Sequence, residues 1–408
     1  MARIITGLDV GTSTVTTIVG KKEKNGSLEV IGVAVEPAEG IRRGVVVDVE
    51  DATRAIRHSV LEASRAAQVP IKSAILSVSG SYIHAGSSRG VVAVSRADGE
   101  ISEDDVRRVF AAAETFIPKN LNRDILHIIP KEFKVDNEIG IKDPLGMNGV
   151  RLEVDTLVLE TQMHTLKTLF KCVDTAGIKR EGVVFAPIAA ADAVLTKRQK
   201  ELGVILVDIG AGTADFVVFE EGRLIHAGSI PIGGNLITND IAIGFQTMVD
   251  VAEKIKLEHG IAVPELVQKK EQIQLADFAL DEKTMFPRRD LAEIIEARLK
   301  DLFELLHREL KKINRSQLLP AGVVLVGGGA RMPGIEEIAK RELHLPVTIG
   351  VPSGFGNLPF DDESAIQLAT SLGLLRWGVG ENHHSTMLGG VIQESPTVLK
   401  RFLKLFLP

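Results

Sequence analysis

Three short apolar blocks open the chain: RIITGLDVG, STVTTIVGK and SLEVIGVAV, all within residues 3–35. Val- and Ile-rich runs of this length, punctuated by glycines and by the Asn-Gly pair of KNGS, predict three strands joined by tight turns. The period then lengthens. In VEDATRAIRHSVLEASRAAQ (49–68) apolar residues recur every three or four positions, which predicts a helix, and SAILSVSG (73–80) reads as another strand.

From about residue 84 to residue 165 the texture differs. Short strands, a helix near SEDDVRRVFAAAE, the proline-broken IIPKEF and a loop IKDPLGMNG predict a small inserted α+β subdomain. A helix at 162–176 and a strand near GVVF (182–185) resume the first domain. The opening pattern then recurs in LGVILVDIGAGTADFVVFEEGRLIHAGSIPIGG (202–234), where Asp208-Ile-Gly210 aligns with Asp9-Val-Gly11. Two copies of one supersecondary unit, about 200 residues apart, predict a duplicated architecture. Helical segments follow at 236–259 and 287–313, then a strand and glycine turn, GVVLVGGGARMPG (322–334), and the helix IEEIAKREL. A buried-looking helix at 363–378 ends the globular part, and 379–394 reads as a linker.

Composition narrows the class. The 408 residues suffice for two or more domains with sizeable cores. Only 4% are aromatic within a 45% hydrophobic content, so small and β-branched residues favour an α/β fold on buried strands. A net charge of −6 argues against general nucleic-acid binding, which needs a basic surface. The lone Cys172 permits no internal disulfide and fits a free structural thiol in a reducing cytoplasm. The start MARIITGLDVG lacks a secretory pattern, and no apolar run reaches about 18 residues, so no segment is expected to span a bilayer.

The chemistry gathers at the glycines. Asp9 and Asp208 each stand at the end of a predicted strand, followed by Gly11-Thr12-Ser13-Thr14 and by Gly210, Gly212 and Thr213. Glycine lets a backbone pass close to a ligand, N–H groups and hydroxyls can meet a phosphate, and a carboxylate can hold hydrated Mg²⁺. One such turn is usually an ordinary tight turn; two copies plus a third glycine run, Gly327-Gly328-Gly329-Ala330, favour a clamp around a triphosphate. Between them, Glu253 and Lys256 share a helix face and could reach a ribose and an adenine, or form a surface ion pair.

These pieces resemble the actin-like ATPase superfamily: LDVGTST and VDIGAGTAD as phosphate loops, VGGGARMPG as the adenosine loop, FAPIAAADAVL (185–195) and AIQLATSLGLL (365–375) as connecting segments. GIRRGVVVDVEDATRAIRHSVLEA, ILSVSGSYIHAGSSRGVVAVS, HIIPKEFKVDNEIGIKDPLGMNGVRLEVDTLVL and FPRRDLAEIIEARLKDLFELL further resemble the bacterial cell-division family FtsA, over nearly the whole chain. The resemblance implies an actin-like duplicated ribonuclease-H-type fold, two lobes with an ATP cleft. Its parts would be subdomain 1A (1–83 and 166–195), the insert 1C (84–165), 2A (196–234 and 314–378), 2B (235–313), a linker (379–394) and an amphipathic membrane-targeting helix (395–408). It also implies ATP and Mg²⁺ as ligands, self-association into protofilaments, binding of the FtsZ C-terminal tail in the 2B region around Arg288 and Arg289, and contact with other division proteins. The expected place is the cytoplasmic face of the inner membrane at the septum.

Two departures from a generic enzyme stand out. Where filament relatives such as MreB carry a Glu before the proline of the first connecting segment, this chain has Ala186 before Pro187. Alanine can neither accept a proton nor order a water, so slow or absent hydrolysis is expected, with Asp208 and Asp215 as the remaining carboxylates. The second departure is the ending SPTVLKRFLKLFLP. Placed at 100° per residue from Val398, its apolar residues (Val398, Leu399, Phe402, Leu403, Leu405, Phe406, Leu407) span about 340° to about 180°. Lys400, Arg401 and Lys404 occupy the rest. Ser395 suits the N-cap and Pro396 the first turn. A helix with a solely cationic polar face suits an anionic membrane surface better than the core of an acidic protein.

Three function classes remain to be separated: a membrane-tethering filament adaptor, a metabolite kinase of the same fold, and a pilus or secretion adaptor of the PilM type. The kinase lacks a motif for a catalytic base, and the PilM type would normally lack the basic tail. His383-His384 in the linker read as incidental, and His127 and His226 as core or edge residues.

Overall fold

The computed structural model describes residues 3–23, 26–117, 122–278, 284–356 and 358–379. The Asn-Gly turn lies partly outside them, and the histidine pair and the amphipathic ending lie wholly outside.

The first lobe begins with β1 (Arg3–Val10), β2 (Thr14–Lys22) and β3 (Leu28–Pro37), a meander in which each strand pairs antiparallel with the next. A small ribbon of β4 (Ile41–Arg42) and β5 (Val45–Val46) leads to α1 (Val49–Ala67). The Asp48 side chain caps that helix by accepting the N–H groups of Glu50 and Asp51, satisfying two orphan donors. Then β6 (Ser73–Val78) joins β1 in parallel.

The insert follows, with β7 (His84–Ala93), α2 (Glu103–Thr115), β8 (Arg123–Val135), β9 (Glu138–Ile141) and β10 (Arg151–Gln162). Its sheet runs β7-β10-β8-β9 and has its own core, with Val106, Val109 and Phe110 of α2 packed on Ile128, Phe133 and Val154. Its main strands are long, not short as the pattern suggested. Pro130 does not break β8, because the ladder to β10 slips there: Asp155 faces Glu132 while Thr156 faces Pro130. A bulge absorbs the proline's missing N–H.

The chain returns through α3 (Met163–Thr175) and β11 (Lys179–Phe185), completing the sheet β11-β6-β1-β2-β3, and crosses by α4 (Ala186–Val194) and α5 (Lys197–Leu202). The second lobe opens with β12 (Val204–Ile209), β13 (Ala214–Glu220) and β14 (Arg223–Ile230). The predicted helix 236–259 is two helices, α6 (Gly234–Gly244) and α7 (Val249–His259). Between them Gln246 takes φ +49° and buried Phe245 stacks on Phe286 at 4.2 Å, which turns the chain out of the helical path. The ribbon β15 (Gln272–Gln274) and β16 (Met285–Pro287) precedes α8 (Arg288–Lys312). β17 (Val323–Val326), α9 (Ile335–Leu343) and β18 (Val347–Ile349) complete the sheet β14-β13-β12-β17-β18. Strand for strand, it repeats the first sheet in order and direction.

The last predicted helix is also divided, into α10 (Asp362–Gln367) and α11 (Ala369–Val379). The carbonyl of Ile366 accepts the N–H of Gly327, which ties α10 to the second lobe. In contrast, α11 packs on β1, β2 and β6 and against α4. The expected second part of 2A, 314–378, therefore ends in a helix that belongs by its packing to the first lobe. Close approach is built in: a Cβ on Gly373 would fall 1.9 Å from the carbonyl oxygen of Ala189.

Candidate functional site

Two identical turns face each other between the lobes. Gly11 N–H donates to the carbonyl of Thr14 at 2.9 Å, and Gly210 N–H to that of Thr213 at 2.9 Å. Each turn follows an aspartate one residue before the strand end, Asp9 on β1 and Asp208 on β12. The turns abut. A Cβ on Gly212 would lie 2.6 Å from Thr12 Oγ1 and 2.8 Å from the Cα of Arg43, so glycine is what permits the contact. Thr12 Oγ1 also accepts the N–H of Gly44 at 3.0 Å, which clasps the β4–β5 ribbon to the first turn. Ser13 is exposed and Thr14 begins β2.

The third glycine run joins them. Gly327, at φ +85°, lies so close to Asp208 that a Cβ would sit 2.3 Å from Oδ1. Gly329 presses on Ile209, Ala330 is buried, and Gly328 has open space in front of it. Glu253 and Lys256 enter through α6: Gly234 N–H donates to the Gly210 carbonyl, and Lys256 Nζ donates to the Gly234 carbonyl at 3.3 Å. The same ammonium pairs with Glu253 at 2.6 Å and donates to Thr238 Oγ1 at 2.9 Å, while the Thr238 hydroxyl is also bonded to Glu253. The i,i+3 pair is thus built into the wall beside the second turn.

Electrostatically the site is overloaded with acid. Burial, aided by the nearby charge of Asp208, pushes the Asp9 carboxyl up to about 6 and that of Asp215 up to about 7. Asp208 itself is raised by burial. Hydroxyls offset part of this: Ser77 donates to Asp9 Oδ1, Thr370 to Asp208 Oδ2 at 2.7 Å, and Thr213 to Asp215 Oδ2 at 3.1 Å. Asp215 Oδ1 is buried with no hydrogen-bond partner. Among the described residues no three His, Cys, Asp or Glu side chains converge as a direct metal cage. An all-oxygen, mutually repelling set of this kind suits a hard cation that keeps its waters.

The other candidates fall elsewhere. Ala186, buried, is the first residue of α4. Arg288 donates to the His259 carbonyl and pairs with Glu271, whereas Arg289 is exposed and, among the described residues, pairs with Glu293 one turn on. His127 is buried, its Nε2 accepts the Phe185 N–H, and burial pushes its imidazole down to about 4; His226 pairs with Glu309 at 3.4 Å. A cavity of about 350 Å³ opens away from the turns, between β8, β9, α5 and the β13–β14 turn. Val398–Phe406 lie outside the described residues. Sequence reasoning missed Ser77, Thr238 and Thr370. A single hydroxyl in a strand or helix carries no local signal, and Thr370 meets an aspartate 162 residues away.

Comparison with known proteins adds to this geometry. A family model described as cell division protein FtsA matches residues 205–373, and one described as an SHS2 domain inserted in FtsA matches 80–159. The FtsA of Pseudomonas aeruginosa is 37% identical over 378 residues, covering 92% of this chain and 89% of that one. That of Bacillus subtilis is 38% identical, covering 86% and 79%, and that of Escherichia coli K12 33% identical, covering 92% and 90%. Among solved structures, the PilM-PilN type IV pilus biogenesis complex matches with a TM-score of 0.69 at 18% identity, covering 92% of this chain and 98% of the other. MreB5 of Spiroplasma citri bound to AMPPNP matches at 0.54 and 15%, covering 92% and 96%. The two structural likenesses are of fold, an actin-like one.

Proposed function

Because the chain belongs to the FtsA family of cell division proteins, we propose that it is an ATP-binding actin-like adaptor that polymerises at the division site and tethers the FtsZ ring to the inner membrane, recruiting later division proteins. The observation that carries the nucleotide half of this reading is the abutment of two matching glycine turns over the half-buried carboxylates of Asp9 and Asp208 and the buried one of Asp215. Spiroplasma MreB5, with the same fold, is found with ADP and with AMPPNP. Here Gly11–Thr14 and Gly210–Thr213 would hold the phosphates from opposite sides, and Gly327–Ala330, Glu253 and Lys256 the nucleoside. Asp9 and Asp208 would hold Mg²⁺ through its waters, neutralising charge that the fold leaves unbalanced. With Ala186 where a carboxylate would be needed, ATP acts as a conformational and polymerisation ligand, hydrolysed slowly or not at all.

Val398–Phe406 form the membrane contact. Each large apolar side chain buried adds about 1.5–3 kcal/mol, but ordering the segment takes back much of it, so one tail binds reversibly. A filament gathers many tails, and avidity makes attachment firm. No helix among the described residues is long and apolar enough to cross a membrane. The test is sedimentation with anionic liposomes in ATP and Mg²⁺, beside electron microscopy on a lipid monolayer. Deleting 396–408 should abolish co-sedimentation, and filaments should form with ATP. Unchanged co-sedimentation, or no filaments in any nucleotide state, overturns the reading.

A further inference from the structure

The hydroxyl of Thr370 is out of place for a residue of the first lobe. Thr370 is the second residue of α11, a helix packed on β1, β2 and β6 of the first lobe and, at the crossing between the lobes, against α4. Leu374 sits where a Cβ on Gly7 would be 2.8 Å away, Leu375 likewise for Gly20, and Gly373 lies on the Ala189 carbonyl. Yet Thr370 Oγ1 donates at 2.7 Å to Asp208 Oδ2, the strand-end carboxylate of the second lobe. The chain changes lobes just before it, at Leu368 between α10 and α11. The Ile366 carbonyl accepts Gly327 N–H in the second lobe, and Arg331 bonds Glu363 beside it. A buried hydroxyl thus spans the hinge and fixes the rotation of the acid that faces the other turn. Asp9 has no such tie, since its partner Ser77 comes from the neighbouring strand of its own sheet.

We propose that Thr370 is a positioning residue that couples the cation subsite at Asp208 to the angle between the lobes. This rests on the nucleotide reading above and deepens it. With Asp208 oriented by a group on a helix packed on the first lobe's sheet, its oxygens meet a cation's waters only at one interlobe angle. MgATP then binds tightly to that arrangement alone. ATP without a divalent cation, held by the glycine turns, is indifferent to it.

The test uses the full-length chain and fluorescent ATP, titrated in Mg²⁺ and in EDTA, with Thr370→Val and Thr370→Ser. A hydrogen bond to a charged acceptor predicts that Thr370→Val weakens binding in Mg²⁺ at least about tenfold. Binding in EDTA should stay within about twofold, and Thr370→Ser should restore the Mg²⁺ dependence. Solution scattering should likewise show a Mg²⁺-dependent change of radius in the natural chain and in Thr370→Ser but not in Thr370→Val. If Thr370→Val does not fold, Thr370→Ala carries the same comparison. Equal loss in both buffers, or no loss in either, overturns the coupling while leaving nucleotide binding standing. A natural chain that binds ATP in neither buffer overturns both readings.

Discussion

The two glycine turns share a backbone and differ in what supports them. In the first lobe, Asp9 is steadied from within its own sheet by Ser77, and the turn is clasped by Gly44 of the adjoining ribbon. In the second, Asp208 is steadied by Thr370 from a helix packed on the opposite lobe, and is crowded by Gly327 and by neighbouring Asp215. Duplication supplied two equivalent turns, but among the described contacts Asp208 takes its hydroxyl from a helix packed on the other lobe's sheet, whereas Asp9 takes its from its own sheet; under the proposed reading, that lets nucleotide binding report on conformation.

The sharpest way to break this comparison is at the hinge. Gly373→Ala would force a methyl to within 1.9 Å of the Ala189 carbonyl, so α4 and α11 must part; urea unfolding should show a loss of about 3 kcal/mol. An unchanged midpoint would mean that the lobes are not locked there. Next comes pH. From an ordinary value of 3.8, Asp9 is raised to about 6 and Asp215 to about 7. Each keeps its proton in the folded chain where the unfolded chain has lost it. Rising pH therefore removes stability, from about 4 to about 6 for Asp9 and on to about 7 for Asp215. Without nucleotide or Mg²⁺, the two groups together should cost the chain on the order of 7 kcal/mol over this range. Asp9→Asn should reduce the slope up to about pH 6, and Asp215→Asn should reduce it throughout and remove it between about 6 and about 7, as read by melting curves across pH.

Smaller substitutions sharpen the assignment of ligand groups. Gly328 has nothing within 4 Å of an added Cβ, so Gly328→Ala should leave stability within about 0.5 kcal/mol while weakening ATP binding roughly tenfold, if the adenosine lies there. Undiminished affinity in a titration would move the nucleoside elsewhere. The smallest expected effect is Arg289→Ala. Its pair with Glu293 is exposed, so melting should shift by less than about 0.5 kcal/mol, while affinity for the FtsZ C-terminal tail falls in a binding assay. Arg288, engaged with His259 and Glu271, serves poorly as that probe.

Much of this was legible because it is local. The strand–Asp–x–Gly–strand units and the helical periods of α1 and α8 follow from residues a few positions apart. Local reasoning failed where distant packing decided. It saw one helix in 236–259 because the period persists, but Phe245 ends α6 and stacks on Phe286 while Gln246 turns the chain at φ +49°. It read Pro130 as a break because a proline removes a donor, and could not know that the facing strand would skip a residue. It treated 363–378 as one element although the lobes divide at Leu368.

By itself, the sequence determined the duplication, the insert, the carboxylates at the strand ends and the glycines that let backbones pass close to them. These are properties of short segments, set by backbone freedom and the spacing of apolar side chains. The tertiary structure alone decided that Asp208 lies close enough to raise the pKa of Asp9 and of Asp215, that Gly212 abuts Thr12, and that α11 is packed on one lobe's sheet while bonded to an acid of the other. Burial and charge repulsion act across space, so they exist only once the two halves have closed on each other.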